Sequence, residues 1–154
     1  MNQLTPAVLA KMACDATWMM YRVKVTFGGD CPPNLPDVSE GHTVIVPLIG
    51  EPLYIITAKA SAQGGVELAS VMFSCEKAEA DAEMIEDSLR ELTNIVAGQV
   101  KFMLAQEHQL GLPSRLENDA TLAGASRWSG ARLQFGTPAA EVDIAVAEYS
   151  AEAA

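Results

Sequence analysis

Asp87, Glu91, Asn94, Gly98 and Lys101 are the residues of this chain whose types and spacing can do chemistry together. At the roughly 100° per residue of an α-helix they fall within about 80° of one another. Glu91 and Asn94 stand one turn apart. A carboxylate forms charge-assisted hydrogen bonds with a cationic partner. A carboxamide both donates and accepts hydrogen bonds and carries no charge. Gly98 lies one turn beyond Asn94, and glycine in a helix interior costs about 1 kcal/mol relative to alanine. Close approach of another surface would offset that cost. The same residue types also compose an ordinary solvated helix face, and spacing alone does not separate the two readings.

The opposite side of the stretch is apolar. Ile85, Leu89, Leu92, Val96, Val100 and Met103 also fall within about 80°, which predicts the buried stripe of a helix from about Ala80 to Gln109. Leu110-Gly111-Leu112-Pro113 is expected to end it, because Gly favours the position after a helix and Pro cannot continue one. The acidic run Glu76, Glu79, Asp81 and Glu83 suits the positive end of its dipole.

The rest of the chain reads as shorter elements. Thr5-Pro6 opens a helix, with Val8, Leu9, Met12, Ala13, Ala16, Met19 and Met20 at core-facing spacing. Val23, Val25 and Phe27 alternate with polar residues as a half-buried strand does. Residues 28–41, rich in Pro and Gly, read as a loop. His42–Leu48 and Leu53–Lys59 predict a hairpin around Gly50-Glu51-Pro52, with Pro47 confined to an edge or strand end. Ser61–Phe73 reads as a short helix capped by Ser61 and weakened by Gly64 and Gly65. Leu116–Leu122 reads as a short strand and Ala123–Gly130 as a loop. Arg132–Phe135 and Glu141–Tyr149 predict a second hairpin around Gly136-Thr137-Pro138, followed by a flexible tail from about Ser150. Helices separated by hairpins imply an α+β fold in one domain spanning 1–154, its helices packed on a largely antiparallel sheet.

Composition removes several function classes. The 10 Lys and Arg against 20 Asp and Glu leave a net charge of −10, which disfavours nucleic-acid backbones and anionic membrane surfaces. Cys14, Cys31 and Cys75 are widely spaced, form no CxxC and complete no zinc pattern with His42 and His108. Free thiols, no signal peptide and no apolar run of roughly 20 residues point to the cytoplasm and to no membrane insertion. No GxxxxGK[ST], GxGxxG or GxSxG occurs. His42 falls at a strand start, and His108 reads as a surface residue favoured by a helix C-terminus. Trp128 is expected to be partly buried.

The segment Asp87-Ser88-Leu89-Arg90-Glu91-Leu92-Thr93-Asn94-Ile95-Val96-Ala97-Gly98 resembles the active-site helix of the CheC/CheX/FliY chemotaxis phosphatases. Their signature is an acidic residue or Ser, three residues, Glu, two residues and Asn, with a proline further on. Asp87, Glu91 and Asn94 match it. A single copy of the motif and the order of elements are similar to the CheX type. Pro113 falls nearer to Asn94 than the family's proline and takes no role from it, and the Pro-rich content of 28–41 is unfamiliar there.

The resemblance implies a phosphatase that hydrolyses the aspartyl-phosphate of a phosphorylated, CheY-like response regulator. An acyl phosphate is already labile, and the regulator supplies its own Mg²⁺ and acidic pocket. The phosphatase needs no cofactor of its own, and what remains is to place a water in line with phosphorus. Glu91 and Asn94 would be the catalytic pair, with Asn94 holding the water and Glu91 engaging a lysine of the regulator's pocket. Asp87, Gly98 and Lys101 would line the partner contact. A homodimer formed through the sheets is expected on the same ground. The rival reading is a non-catalytic module of this fold that recognises a regulator or flagellar-switch component. A stand-alone enzyme for a small acyl phosphate fits poorly, since an open helix face offers no enclosing pocket.

Overall fold

The computed structural model describes residues 4–21, 26–30, 42–104, 107–116, 124–135 and 137–149. Helix α1 (Pro6–Tyr21) starts where Thr5 and Pro6 require, the Val8 N–H donating to Thr5 Oγ1 at 3.2 Å. Its residues Leu9, Met12, Ala13 and Ala16 are buried and Val8 is partly so, which makes this part of the expected stripe the core face, while the side chains of Met19 and Met20 lie outside the described residues. Strand β1 (Thr26–Asp30) takes in Gly28 and Gly29, which the sequence reads as loop. Its register with the strand beside it shifts between Phe27 and Gly29, an irregularity that absorbs Gly28. Val23, Val25 and residues 31–41 lie outside the described residues.

Strands β2 (His42–Ile49) and β3 (Leu53–Ala60) form the expected hairpin, paired from His42↔Ala60 to Leu48↔Tyr54. Pro47 lies inside β2, not at its end. The outer side of β2 carries two short strands, β4 (Gln109–Leu110) opposite Leu48 and Ile49, and β5 (Ser114–Arg115) opposite Val44 and Ile45. Pro47, which has no N–H to give, falls in the gap between them. Its carbonyl accepts from the Gly111 N–H at 2.8 Å. The segment 114–115 just before the strand expected at 116–122 pairs with β2, and residues 117–122 of that expected strand lie outside the described residues.

Helix α2 (Ala62–Met72) is capped as expected, Ser61 Oγ accepting from the Gly64 N–H at 3.0 Å. The same hydroxyl donates to the Ala139 carbonyl at 2.8 Å and accepts from the Glu141 N–H at 3.0 Å, which ties the helix start to the last strand. Gly64 and Gly65 are not mere weak points. A Cβ at Gly64 would stand 2.7 Å from the Glu141 carbonyl carbon, and one at Gly65 2.7 Å from Ile85 Cγ2. Gly64→Ala is therefore expected to cost about 1–3 kcal/mol, although alanine is the better helix former. Denaturant titration checks this, and a gain in stability would refute the packing account.

Helix α3 (Ala82–Met103) follows a 3₁₀ turn at Lys77–Glu79. Asp81 Oδ1 accepts from the Met84 N–H at 2.9 Å, so the acidic run supplies a cap as well as charge at the dipole. The helix stops short of the expected Gln109. Leu104 is extended, at ψ 137°, and buried. His108 is 6% exposed, its Nε2 2.7 Å from the Pro52 carbonyl oxygen and its ring 5.2 Å from that of Tyr54. Burying Leu104 and His108 outweighs the helical preference of the Leu104–Gln109 segment. His108 is therefore not the expected surface residue. Nor is Gly111 a helix cap: a Cβ there would lie 2.5 Å from Pro47 Cγ, so it is the point where β2 and the returning chain touch.

Strand β6 (Arg127–Phe135) begins earlier than expected and pairs along most of β7 (Thr137–Tyr149). Trp128 is partly buried as expected, but within β6 opposite Ala147 and not in a loop. Gly136 and the tail from Ser150 lie outside the described residues. The sheet order is β1-β6-β7-β3-β2-β4, with β5 also on β2, and every described pairing is antiparallel. The three helices cover one face, and the main core lies between them and Val44, Val46, Ile56, Leu133, Ile144 and Val146. A smaller cluster of Ile55 and Leu116, with Ile45, Leu53 and Tyr149 against it, lies on the other face. This is the α+β architecture that the order of elements predicts. Among the described residues no helix is long and apolar enough to cross a membrane.

Candidate functional site

Helix α3 packs its apolar stripe on β2 and β3, with α1 and α2 beside it. Ile85, Leu89, Leu92, Val96 and Val100 are buried, and Met103 is partly so. Turning the helix by one residue would move such side chains toward water at about 1.5–3 kcal/mol each. The polar face therefore has one orientation. Ser88 and Thr93 are also buried, which the wheel does not show. Their hydroxyls donate one turn back, Ser88 to the Met84 carbonyl at 2.7 Å and Thr93 to that of Leu89.

Asp87, Glu91, Asn94 and Lys101 are all exposed on the remaining side of this one helix, and Gly98 is half-buried among them. The structure brings all five predicted residues to one surface. Lys101 stands in the last turn, where its charge also suits the helix dipole. Gly98 differs from the other glycines just described. Among the described residues a methyl group there would meet no neighbour within 4 Å beyond the helix's own backbone, so none of them demands glycine at this position.

Two features flank the face. On one side Glu86 pairs with Arg90 at 3.5 Å and with Arg115 at 4.0 Å, linking α3 to β5 through partly exposed groups that add little stability. Toward the helix C-terminus, Gly98, Lys101, Phe102, Glu107, His108 and Leu110 line a groove. Phe102 is 91% exposed. The sequence reading assigns it no role. The signal that could have found it is its place on the wheel, about 80° from Asn94 and off the apolar stripe.

Chemically the face is open. None of the described cavities is lined by Glu91 or Asn94. Among the described residues no group of three or more His, Cys, Asp or Glu side chains is placed to hold a metal ion. The surface offers a carboxylate and a carboxamide on one open helix face, and none of the described cavities encloses them.

The family model described as chemotaxis phosphatase CheX matches residues 42–130, which include the whole of α3. No curated protein matches the chain. Several solved structures share its fold. One is from the CheX-CheY-BeF3-Mg²⁺ complex of Borrelia burgdorferi, 18% identical, covering 96% of this chain and 99% of that chain at a TM-score of 0.69. A CheC-like superfamily protein from Shewanella sp. PV-4 is 14% identical, with 92% and 95% covered and a TM-score of 0.67. The chemotaxis protein CheX of Desulfovibrio desulfuricans is 15% identical, with 91% and 95% covered and a TM-score of 0.65.

Proposed function

The chain belongs to the CheX family of chemotaxis phosphatases, and from that premise we propose that it hydrolyses the aspartyl-phosphate of a CheY-like response regulator, with Asn94 orienting the attacking water. The observation that carries this reading is the single exposed face of α3, on which Glu91 and Asn94 stand one turn apart above a buried stripe. The Borrelia burgdorferi protein of the same fold forms a complex with CheY, BeF3 and Mg²⁺, which supports a CheY-like partner here.

In the reaction, water oxygen bonds to phosphorus as the bond from phosphorus to the aspartyl oxygen breaks. The products are inorganic phosphate, which takes up the water's proton, and the regenerated carboxylate. The Asn94 amide can accept from the water while donating to a phosphoryl oxygen, and it brings no charge to repel either. Glu91 would be a poor activator beside an anionic phosphoryl group. It serves better as an anchor for a lysine of the regulator's pocket, where Mg²⁺ is also the regulator's own. Asp87 and Lys101 sit on the rim of the same contact. The protein would act in the cytoplasm as one domain, and pairing of two copies through their sheets belongs to the same reading.

The deciding experiment is phosphate release from a radiolabelled receiver domain of the same cell, with and without the purified protein. Acceleration is expected. Binding of phosphorylated receivers with no change in their lifetime would favour a recognition module instead.

Gly98 offers a second check. Gly98→Ala is expected to stabilise the fold by up to about 1 kcal/mol, because alanine is the better helix former and meets no obstacle. It is expected to weaken receiver dephosphorylation at the same time, since the added methyl group holds the partner's surface away. A melting curve and a turnover assay on the one variant test both signs, and unchanged activity would remove Gly98 from the contact. Glu91→Gln is expected to raise KM more at low ionic strength than at high, because a rim charge pair is screened by salt. Equal effects at both would count against the anchoring role.

A further inference from the structure

We infer that Phe102 is an apolar anchor of the receiver-docking surface, extending the contact from Asn94 to the C-terminal end of α3; this rests on the phosphatase reading above. Phe102 is 91% exposed at the end of a long, well-packed helix. A single exposed aromatic is ordinary on a protein surface. Its position is what makes this one informative. It lies eight positions beyond Asn94, about 12 Å along the helix at 1.5 Å per residue. On the wheel it stands about 20° from Glu91 and about 40° from Gly98, so the three form one row along the open face.

The footprint of a partner argues for the occupant. A protein–protein contact of ordinary size covers about 800 Å² on each side, the area of a disc about 16 Å in radius. A receiver domain seated with its phosphorylated aspartate over Asn94 therefore reaches Phe102. Gly98, between them, leaves room for that surface to lie close to the helix. The groove beyond holds the partly buried Leu110 and is rimmed by the exposed charges of Lys101 and Glu107. An aromatic and an aliphatic side chain inside a polar rim is how the energetic centres of protein contacts are built. Division of labour follows. Phe102 holds the receiver and touches no reacting atom, whereas Asn94 acts on the water.

The test uses a purified CheY-like receiver domain loaded with Mg²⁺ and beryllofluoride as the binding probe, and the phosphorylated receiver as substrate. Phe102→Ala is expected to weaken binding about tenfold and to raise KM in step, with kcat and melting temperature unchanged. Phe102→Leu should recover most of the affinity. Asn94→Ala should show the converse, near-normal binding with lost turnover. If Asn94→Ala behaves so while Phe102→Ala binds as the wild type does, the Phe102 anchor is overturned and the phosphatase reading stands. If the wild type binds no receiver, both fall. Should Phe102→Ala instead change the oligomeric state in sedimentation with receiver affinity intact, the residue belongs to a self-contact and the inference is overturned.

Discussion

Asn94→Ala is expected to lower the rate of receiver dephosphorylation on the order of 10²-fold, the loss typical of one positioning or electrostatic group. At 25 °C that corresponds to about 2.7 kcal/mol of activation free energy. The reduction should fall on kcat, because the amide acts on the water and adds little to docking. The melting temperature should not move, since Asn94 is exposed and alanine suits a helix. Quenched-flow measurement of phosphate release at saturating enzyme isolates the catalytic step. A rise in KM with kcat intact would turn Asn94 into a docking residue and return the water to the receiver alone.

Leu92→Ala is expected to destabilise the fold by about 2–5 kcal/mol, a large share of the roughly 5–15 kcal/mol that holds a domain together. Leu92 is 0% exposed and lies in the core between α3 and the sheet. Removing its branched end takes away apolar contacts and leaves a cavity that the rigid sheet cannot fill. Denaturant unfolding should show a lower midpoint, and at temperatures where the variant stays folded its kcat should approach the wild-type value. The two variants together test the division of α3 into a buried and a working side. Equal destabilisation by Asn94→Ala and Leu92→Ala would contradict it.

The working side of α3 is legible in the amino-acid sequence because helical periodicity is a local property. Asp87, Glu91, Asn94, Gly98 and Lys101 need only the repeat of about 3.6 residues per turn to fall together. Two neighbours are not legible in the same way. Phe102 stands off the apolar stripe on the wheel, but that the returning chain at Glu107–Leu110 borders it and leaves it 91% exposed shows only in the tertiary structure. His108 reads as a surface residue near a helix C-terminus, but Pro52 and Tyr54, far away in the chain, pack against it and it is buried.

Whatever depends on residues within about a turn of each other can be read from the chain alone. The caps at Thr5 and Ser61, the hairpin from β2 to β3, the α+β class and the two-sided character of α3 are of this kind. Each rests on a bond or a period spanning only a few residues. Contacts between distant segments fix the rest: where α3 ends, why Gly64 and Gly111 must be glycine, and that Arg127–Gly130 is strand and not loop. In each case the partner is remote in sequence: β2 and Tyr54 for the chain after α3, Glu141 for Gly64, Pro47 for Gly111, β7 for the start of β6. Those choices are made by burial, backbone pairing and excluded volume between separate segments, and such energies do not exist until the segments have met.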